Sequence, residues 1–154
     1  MRIGVISDTH GLLRPEVAKA LQGVELIVHA GDVGKPEILT QLKAIAPVFA
    51  VRGNVDTEAW ALELPETTVV EADGACLYVV HNLRQADLGA EGAAFDAVIS
   101  GHTHQAEQWE RNGVLYLNPG SAGPRRFALP VTLALLDLDE APWGVEIVDL
   151  LARS

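Results

Sequence analysis

The sequence has little cysteine and few basic residues, and each scarcity excludes a class of protein. Cys76 is the only cysteine among 154 residues, which excludes an intramolecular disulfide and a thiolate metal cluster and fits a reducing compartment. Eleven Lys and Arg face 21 Asp and Glu, and the resulting net charge of −10 disfavours generic binding to nucleic acid or to anionic lipid. The chain also lacks the apolar runs of a signal peptide or a membrane span. We therefore expect a cytoplasmic protein without membrane contacts.

The length and the overall composition predict one globular domain. Apolar residues make up 49% of the chain and charged residues 21%, which is close to average globular usage. A chain of this size buries roughly 70% of its unfolded surface, which is enough for a core without disulfides. We therefore treat residues 1–154 as a single domain.

The first third of the chain alternates short apolar runs with helical periodicity. Residues 3–6, 25–29 and 48–51 are β-branched, apolar runs that predict buried strands. Residues 15–21 and 36–46 each begin with proline and carry apolar residues at helical spacing. The alternation predicts β-α-β units and parallel pairing.

The later part of the chain is richer in hairpin signals. Asp73-Gly74 and Asn112-Gly113 are tight-turn dipeptides, and only residues 83–94 suggest a helix. Strand-like runs are residues 67–70, 75–80, 97–99, 114–117, 131–138 and 145–150. We predict two sheets packed face to face with helices outside, one half rich in β-α units and the other dominated by antiparallel hairpins.

Small polar clusters follow several of the predicted strands. Four of the five histidines fall in these clusters, which is unlike histidines that fill core or surface positions at random. Loops that follow strand ends lie along one rim of a sheet, so these side chains can converge. The clusters are Asp8-Thr9-His10-Gly11, Gly31-Asp32, Gly53-Asn54-Val55-Asp56, His81-Asn82 and Gly101-His102-Thr103-His104.

The residue types in these clusters favour divalent metal ions. Carboxylate oxygens and imidazole nitrogens are ligands for Mn, Fe, Co, Ni and Zn, and without thiolates a closed structural zinc site is disfavoured. Two such ions about 4 Å apart can share a hydroxide and stabilise the attacking and leaving oxygens of a phosphoryl group.

With these five motifs in this order, the chain resembles the calcineurin-like metallophosphoesterases, and within them the small bacterial and archaeal phosphodiesterase branch. Residues 118–121, Asn-Pro-Gly-Ser, resemble a further signature of that branch. The resemblance covers nearly the whole chain. It implies an α/β fold, a four-layer α-β-β-α sandwich of two mixed sheets.

The resemblance also implies a ligand set and a reaction. One ion would be held by Asp8, His10, Asp32 and His104, and the other by Asp32, Asn54, His81 and His102, with Asp32 bridging the two. The implied activity is hydrolysis of a small phosphodiester by a hydroxide between two divalent ions, for which Mn²⁺ is the first choice and Ni²⁺, Fe²⁺, Co²⁺ and Zn²⁺ fit the same ligands. Asp32, Asn54 and His102 are the predicted catalytic residues.

Two positions depart from the family pattern. Many superfamily members carry a histidine near the leaving group where this chain has Val55, and a valine donates no proton. We therefore predict a preference for good leaving groups. The second departure follows His81, where Asn82-Leu83 replaces the Gly-His usual in the branch, and it changes the adjacent substrate loop.

Several polar and aromatic residues have plainer interpretations. His29 is assigned to packing or to hydrogen bonding behind the ligands. Asp56 orients a ligand or caps a helix-like segment, residues 57–62, and we favour the cap. Asn54 beside glycine also suits left-handed backbone geometry. The loop over residues 118–126, with Arg125 and Arg126, contacts phosphate or is an ordinary turn. The remaining large aromatic residues, Trp60, Trp109 and Trp143, are predicted to pack or to lie at an interface.

Three alternatives to a phosphodiesterase stay open at this stage. The same ligands suit a phosphomonoesterase or a cyclic-nucleotide phosphodiesterase with a different pocket. A non-catalytic scaffold is the third, because the small subunit of the eukaryotic retromer has this fold and serves as a scaffold; the complete ligand set favours an enzyme.

Exposed tryptophan and apolar strand edges would suit a homo-oligomer. No phosphate-binding glycine loop and no nucleophile elbow is found in the sequence.

Overall fold

A computed structural model describes the protein over residues 1–86, 95–126 and 128–152. Its strands and helices follow one another in the order β1 (Arg2–Ile6), α1 (Pro15–Ala20), β2 (Leu26–His29), α2 (Pro36–Lys43), β3 (Val48–Ala50), β4 (Thr67–Ala72), β5 (Ala75–Val80), β6 (Ala97–Ile99), β7 (Ala106–Arg111), β8 (Val114–Pro119), β9 (Thr132–Asp137) and β10 (Gly144–Asp149). Short 3₁₀ helices span Ala59–Glu63 and Leu83–Gln85.

Two five-stranded mixed sheets form the centre of the molecule, which confirms the predicted fold class. The first has the order β10-β9-β1-β2-β3 and the second the order β4-β5-β6-β8-β7. Strands β1, β2 and β3 run parallel, as do β5, β6 and β8. The apolar positions of β1 face both sides because its sheet is covered on both faces.

Two apolar layers hold the sandwich together. Between the sheets, alternate residues of facing strands such as Val5, Val28, Leu77 and Ile99 are fully buried. On the outer face of the first sheet, the apolar sides of α1 and α2 cover a second cluster, which includes Val17, Leu21, Ile38, Leu39 and Leu42. Each helix begins with proline at its first turn, where the missing N–H costs no hydrogen bond. Within the described residues, no helix is both long and apolar enough to span a lipid bilayer.

Antiparallel hairpins dominate the later part of the chain as predicted, at β4–β5, β7–β8 and β9–β10, but the two sheets do not follow the two halves of the chain. The C-terminal hairpin joins the N-terminal sheet through the pairing of β9 with β1. The second sheet also contains two parallel pairs. Periodicity describes single strands, whereas pairing depends on contacts between distant segments.

Strand β7 escaped prediction, because its sequence is Ala-Glu-Gln-Trp-Glu-Arg and carries no apolar alternation. It lies at the edge of the second sheet, where only one side is paired and charged residues are tolerated. Of the helix predicted over residues 83–94, the structure describes a 3₁₀ turn, Leu83–Gln85. Ala86 is extended, and residues 87–94 lie outside the described residues.

Candidate metal centre

The polar clusters meet at one rim of the sandwich. They follow the carboxyl ends of β1, β2 and β3 in the first sheet and of β5 and β6 in the second. Carboxyl ends of parallel strands share one edge of a sheet, where ligand sites form. Main-chain hydrogen bonds join the loops directly: the Asp8 N–H donates to the Gly31 carbonyl at 3.0 Å, and the Gly101 N–H to the His81 carbonyl at 2.9 Å.

Asp8 lies fully buried at the centre of this rim. Its Oδ2 accepts hydrogen bonds from the Ser7 hydroxyl at 2.7 Å and from the His102 backbone N–H at 3.1 Å. Its Oδ1 lies 3.5 Å from Nε2 of His104 and 3.8 Å from Nε2 of His10. One oxygen is thus fixed by the protein, and the other faces imidazole rings.

Asp32 has the same division of roles. Its Oδ1 accepts the Val55 backbone N–H at 3.0 Å, while Oδ2 lies 3.2 Å from Nε2 of His81 and 3.5 Å from Nε2 of His10. Burial by itself would raise the pKa of this carboxyl, but the His81 imidazole, the Val55 N–H and the charge of His10 outweigh it and lower the pKa to about 2. Asp32 is therefore ionised at neutral pH.

A backbone carbonyl on the side away from the carboxylates orients the ring of His81. Nδ1 of His81 lies 2.7 Å from the Ala30 carbonyl, so it carries a proton and Nε2 points towards the carboxylates. Burial lowers the pKa of His81, but the contact with Asp32 and the negative charges raise it above the ordinary value overall. For His104, burial dominates and lowers the pKa. The negative charges of the cluster therefore favour the protonated form at His81 but not at His104.

Four polar atoms of this cluster are buried without a hydrogen-bond partner. They are Asp8 Oδ1, His10 Nε2, His81 Nε2 and His104 Nδ1. A buried polar group without a partner costs about 1–3 kcal/mol, and a cation between these atoms would satisfy several of them together. The ligand atoms form two groups, Asp8 with His10 and His104, and Asp8 with Asp32 and His81, in each of which they lie within 4.8 Å of one another. The donor set therefore fits divalent cations.

The other two predicted ligands lie at the mouth of the cluster. His102 belongs to neither compact group, and its ring centroid is 5.3 Å from that of His81. Asn54 and His102 are both exposed, and they line a cavity together with His81. The structure thus gathers five predicted ligands closely and leaves these two at the open side.

Backbone conformation is unusual at the predicted ligands. Five of them have positive φ angles, namely Asp8, His10, Asp32, His102 and His104, at 57°, 47°, 55°, 75° and 64°. Such angles are uncommon outside glycine and concentrate at functional sites, each costing on the order of 1–3 kcal/mol. Asn54 is not among the residues with positive φ, so the left-handed interpretation of that residue is wrong.

Two glycines are required because the loops touch. A Cβ on Gly31 would lie 2.7 Å from Nδ1 of His81, and a Cβ on Gly53 would collide with Asp32. Both contacts involve a predicted ligand from a different loop. The glycines before Asp32 and Asn54 therefore allow neighbouring loops to pack against each other.

Asp56 was assigned a capping role, and this assignment is wrong. Its buried carboxylate accepts the backbone N–H groups of Val33, Gly34 and Gly53 at 2.9–3.0 Å, and the N-cap of the following 3₁₀ helix is Glu58. Asp56 therefore ties the loop after β3 to the loop that carries Asp32. Local sequence does not indicate such contacts, because all three partners are main-chain groups.

The loop over residues 118–121 forms hydrogen bonds to the loops that carry the ligands. The Asn118 amide donates to the Gly101 carbonyl at 3.0 Å and to the Thr103 hydroxyl at 3.1 Å, and the Ser121 hydroxyl donates to the Asp8 carbonyl at 3.0 Å. These bonds hold the loops of Asp8 and His102. Arg125 and Arg126 are exposed.

His29 joins two of the ligand loops through a buried chain of hydrogen bonds. The Gly31 N–H donates to Nδ1 at 3.1 Å, so Nε2 carries the proton and donates to the Thr9 hydroxyl at 3.0 Å. Thr9 in turn donates to the Val33 carbonyl at 2.9 Å. His29 is fully buried, and burial is the main reason that its pKa falls to about 4.

We expect His29 to make stability depend on pH. The unfolded chain binds a proton at this residue near pH 6.5 and the folded chain only near pH 4, so the free energy of unfolding falls as pH drops through this window, by about 3 kcal/mol. His29→Gln keeps a donor and an acceptor but does not titrate. Urea unfolding of metal-stripped wild type and variant between pH 4 and 7 measures the difference, and a constant difference would contradict the neutral, buried imidazole.

Two cavities flank His102 on the open side of the cluster. The first, which we call the polar pocket, measures ≈ 320 Å³ and is lined by polar residues that include Arg52, Thr67 and Gln85. The second, the aromatic pocket, measures ≈ 440 Å³ and contains Arg84 and Trp109. Asn82 and His102 line both. An anion at the cluster therefore has space on either side.

The chain is similar to a known family of enzymes. Residues 1–141 match the calcineurin-like phosphoesterase superfamily domain. A probable metallophosphoesterase of Methanothermobacter thermautotrophicus is 39% identical, over 96% of this chain and 92% of that protein.

Among solved structures, an archaeal phosphodiesterase is 26% identical with a TM-score of 0.80, over 96% of this chain and all (100%) of the other. Wild-type Vps29 of Entamoeba histolytica, solved with zinc, is 24% identical with a TM-score of 0.74, over 97% and 99% of the two chains. The latter likeness concerns the fold alone.

Proposed function

Because the chain belongs to the calcineurin-like phosphoesterase superfamily, we propose that it hydrolyses phosphodiesters at the rim formed by Asp8, His10, Asp32, His81 and His104. The observation that carries the proposal is the group of buried, unpartnered ligand atoms on these loops. Buried polar atoms in proteins normally have a hydrogen-bond partner. The carboxylate and imidazole atoms of this rim have none, and a divalent cation is a partner that suits them.

We assign both compact ligand groups to divalent cations, with Mn²⁺ as the first choice. Asp8 and Asp32 bring a charge of −2, and two divalent cations would leave the cluster at about +2. When bound, such a pair supplies positive charge for the phosphoryl oxygens and lowers the pKa of water. A net positive centre in an acidic protein suits small phosphoesters and disfavours long polyanions.

The residues of the chain have distinct tasks in this reaction. Asp8 and Asp32 hold their free oxygens towards the centre, and His81 presents Nε2 because Ala30 holds Nδ1. Asn54 and His102, at the open side, are assigned to the second cation and to the phosphoryl oxygens. Val55, the residue after Asn54, is 45% exposed and has no proton to donate, so the leaving oxygen departs without an acid from that position.

A panel of phosphate esters tests the proposal directly. We expect metal-stripped protein to be inactive and to regain phosphodiester hydrolysis with Mn²⁺ above all other divalent cations. If the protein hydrolyses p-nitrophenyl phosphate faster than bis(p-nitrophenyl) phosphate, its substrates are phosphomonoesters instead. Calorimetric binding of two cations with no hydrolysis of any ester would make the protein a scaffold.

A further inference from the structure

The two pockets beside His102 differ in chemistry, and the difference bears on the substrate. A phosphodiester has two organic substituents, and when its phosphoryl group lies at the metal centre each substituent faces one side. The polar pocket contains Arg52, whose guanidinium pairs with Glu66 at 3.0 Å. The aromatic pocket contains an indole ring, Trp109. The two sides therefore suit different substituents.

Trp109 is an exception on its strand. The other exposed residues of β7 are Glu, Gln and Arg, which is usual for an edge strand. Trp109 is a large aromatic residue among them and is itself 40% exposed. It pairs in register with Tyr116 of β8, and the two rings are stacked with centroids 5.2 Å apart and planes 4° apart. The indole is therefore fixed in orientation although it is exposed.

A fixed, exposed indole beside a phosphate site favours a planar ligand. Stacking of a ring on an aromatic side chain is offset and insensitive to the ring's polar substituents. The same pocket is lined by Arg84 and by Glu107, which have opposite charges, so it does not select the substituent by charge. Asn118, at the pocket wall, is engaged by Gly101 and Thr103 and so serves the loop rather than the ligand.

We propose that the aromatic pocket binds a planar aromatic substituent of the phosphodiester, an aryl ring or a nucleobase, stacked on Trp109. This inference rests on the proposed function, because it places the phosphoryl group at the metal centre. Trp109 is then a specificity-determining residue that selects aromatic over aliphatic esters. It leaves the chemical step to the residues of the metal centre.

Product analogues measure this selection without relying on turnover of each substrate. Inhibition of bis(p-nitrophenyl) phosphate hydrolysis by phenyl phosphate, adenosine monophosphate and ethyl phosphate gives three inhibition constants. We expect both aromatic esters to bind roughly tenfold more tightly than ethyl phosphate. Trp109→Ala should abolish this preference, and Trp109→Phe should restore most of it. A preference for adenosine monophosphate alone would identify the substituent as a nucleobase.

Tryptophan fluorescence gives a second readout that needs no hydrolysis. Phenyl phosphate added to protein loaded with Mg²⁺ should quench the wild type and the control Trp143→Phe, which alters another cavity, but not Trp109→Phe. An unchanged aromatic preference in Trp109→Ala, or equal quenching in all three proteins, overturns the inference while phosphodiester hydrolysis persists. Absence of hydrolysis in the wild type refutes the proposed function instead, and the quenching experiment still decides the role of Trp109.

Discussion

Asp32→Asn is expected to lower kcat/KM for bis(p-nitrophenyl) phosphate by on the order of 10³-fold, about 4 kcal/mol of transition-state stabilisation. The substitution removes the negative charge that faces His10 and His81 at 3.5 Å and 3.2 Å, and with it a carboxylate ligand of the group that Asp32 forms with Asp8 and His81. Calorimetric titration with Mn²⁺ should show weaker binding in the variant. The rise in Tm that cations give the wild type should shrink accordingly.

Asp73→Asn is the matched control for this experiment. Asp73 also has a positive φ angle, 50°, but it lies in the β4–β5 turn, at the end of β5 opposite His81. The Asp73→Asn variant should retain wild-type activity and cation binding. Full activity in Asp32→Asn would show that Asp32 is a turn residue and that the assigned centre is wrong.

The second large effect concerns the leaving group. Because Val55 donates no proton, we expect kcat/KM to fall steeply as the pKa of the leaving alcohol rises, with a loss of roughly 100-fold or more for alkyl esters relative to an enzyme with a general acid. Val55→His should raise the rate on alkyl esters by at least about tenfold and leave p-nitrophenyl esters nearly unchanged. The Val55 backbone N–H that supports Asp32 is retained in the variant.

Val55→Phe separates proton donation from ring size. It introduces a ring of similar shape without an ionisable nitrogen, so its leaving-group dependence should stay steep. The His variant should also acquire a basic limb in its pH–rate profile as the imidazole loses its proton. A flat leaving-group dependence in the wild type would mean that another residue donates the proton.

Much of the fold follows from local patterns. The run at residues 97–99 coincides with β6, and the Asp73-Gly74 turn joins β4 to β5 as predicted. These elements have apolar side chains packed in the core, so the sequence carries their signal. Strand β7 has no such signal because its stability comes from pairing with β8. The sheet that receives the C-terminal hairpin is likewise decided by long-range contacts.

The candidate centre was accessible from the sequence only in outline. Asp8, His10 and Asp32 were recognisable because polar residues followed apolar strands in a known order. Asp56 and Asn118 also lie in recognisable motifs, but no pattern indicates that they and Ser7 hold these loops through hydrogen bonds to main chain and carboxylate. Their partners lie far away in sequence, and a single Asp or Ser is equally at home in a turn.

The contact of Gly31 with His81 and of Gly53 with Asp32 limits how this rim can change. A side chain added to one loop would displace a ligand carried by another, so the effects of two such substitutions will not add. New specificity is therefore more accessible through the walls of the flanking pockets, whose residues can vary one at a time. Close packing of the inner loops and open pocket walls thus separate the residues proposed for the chemistry from those proposed to select the substrate.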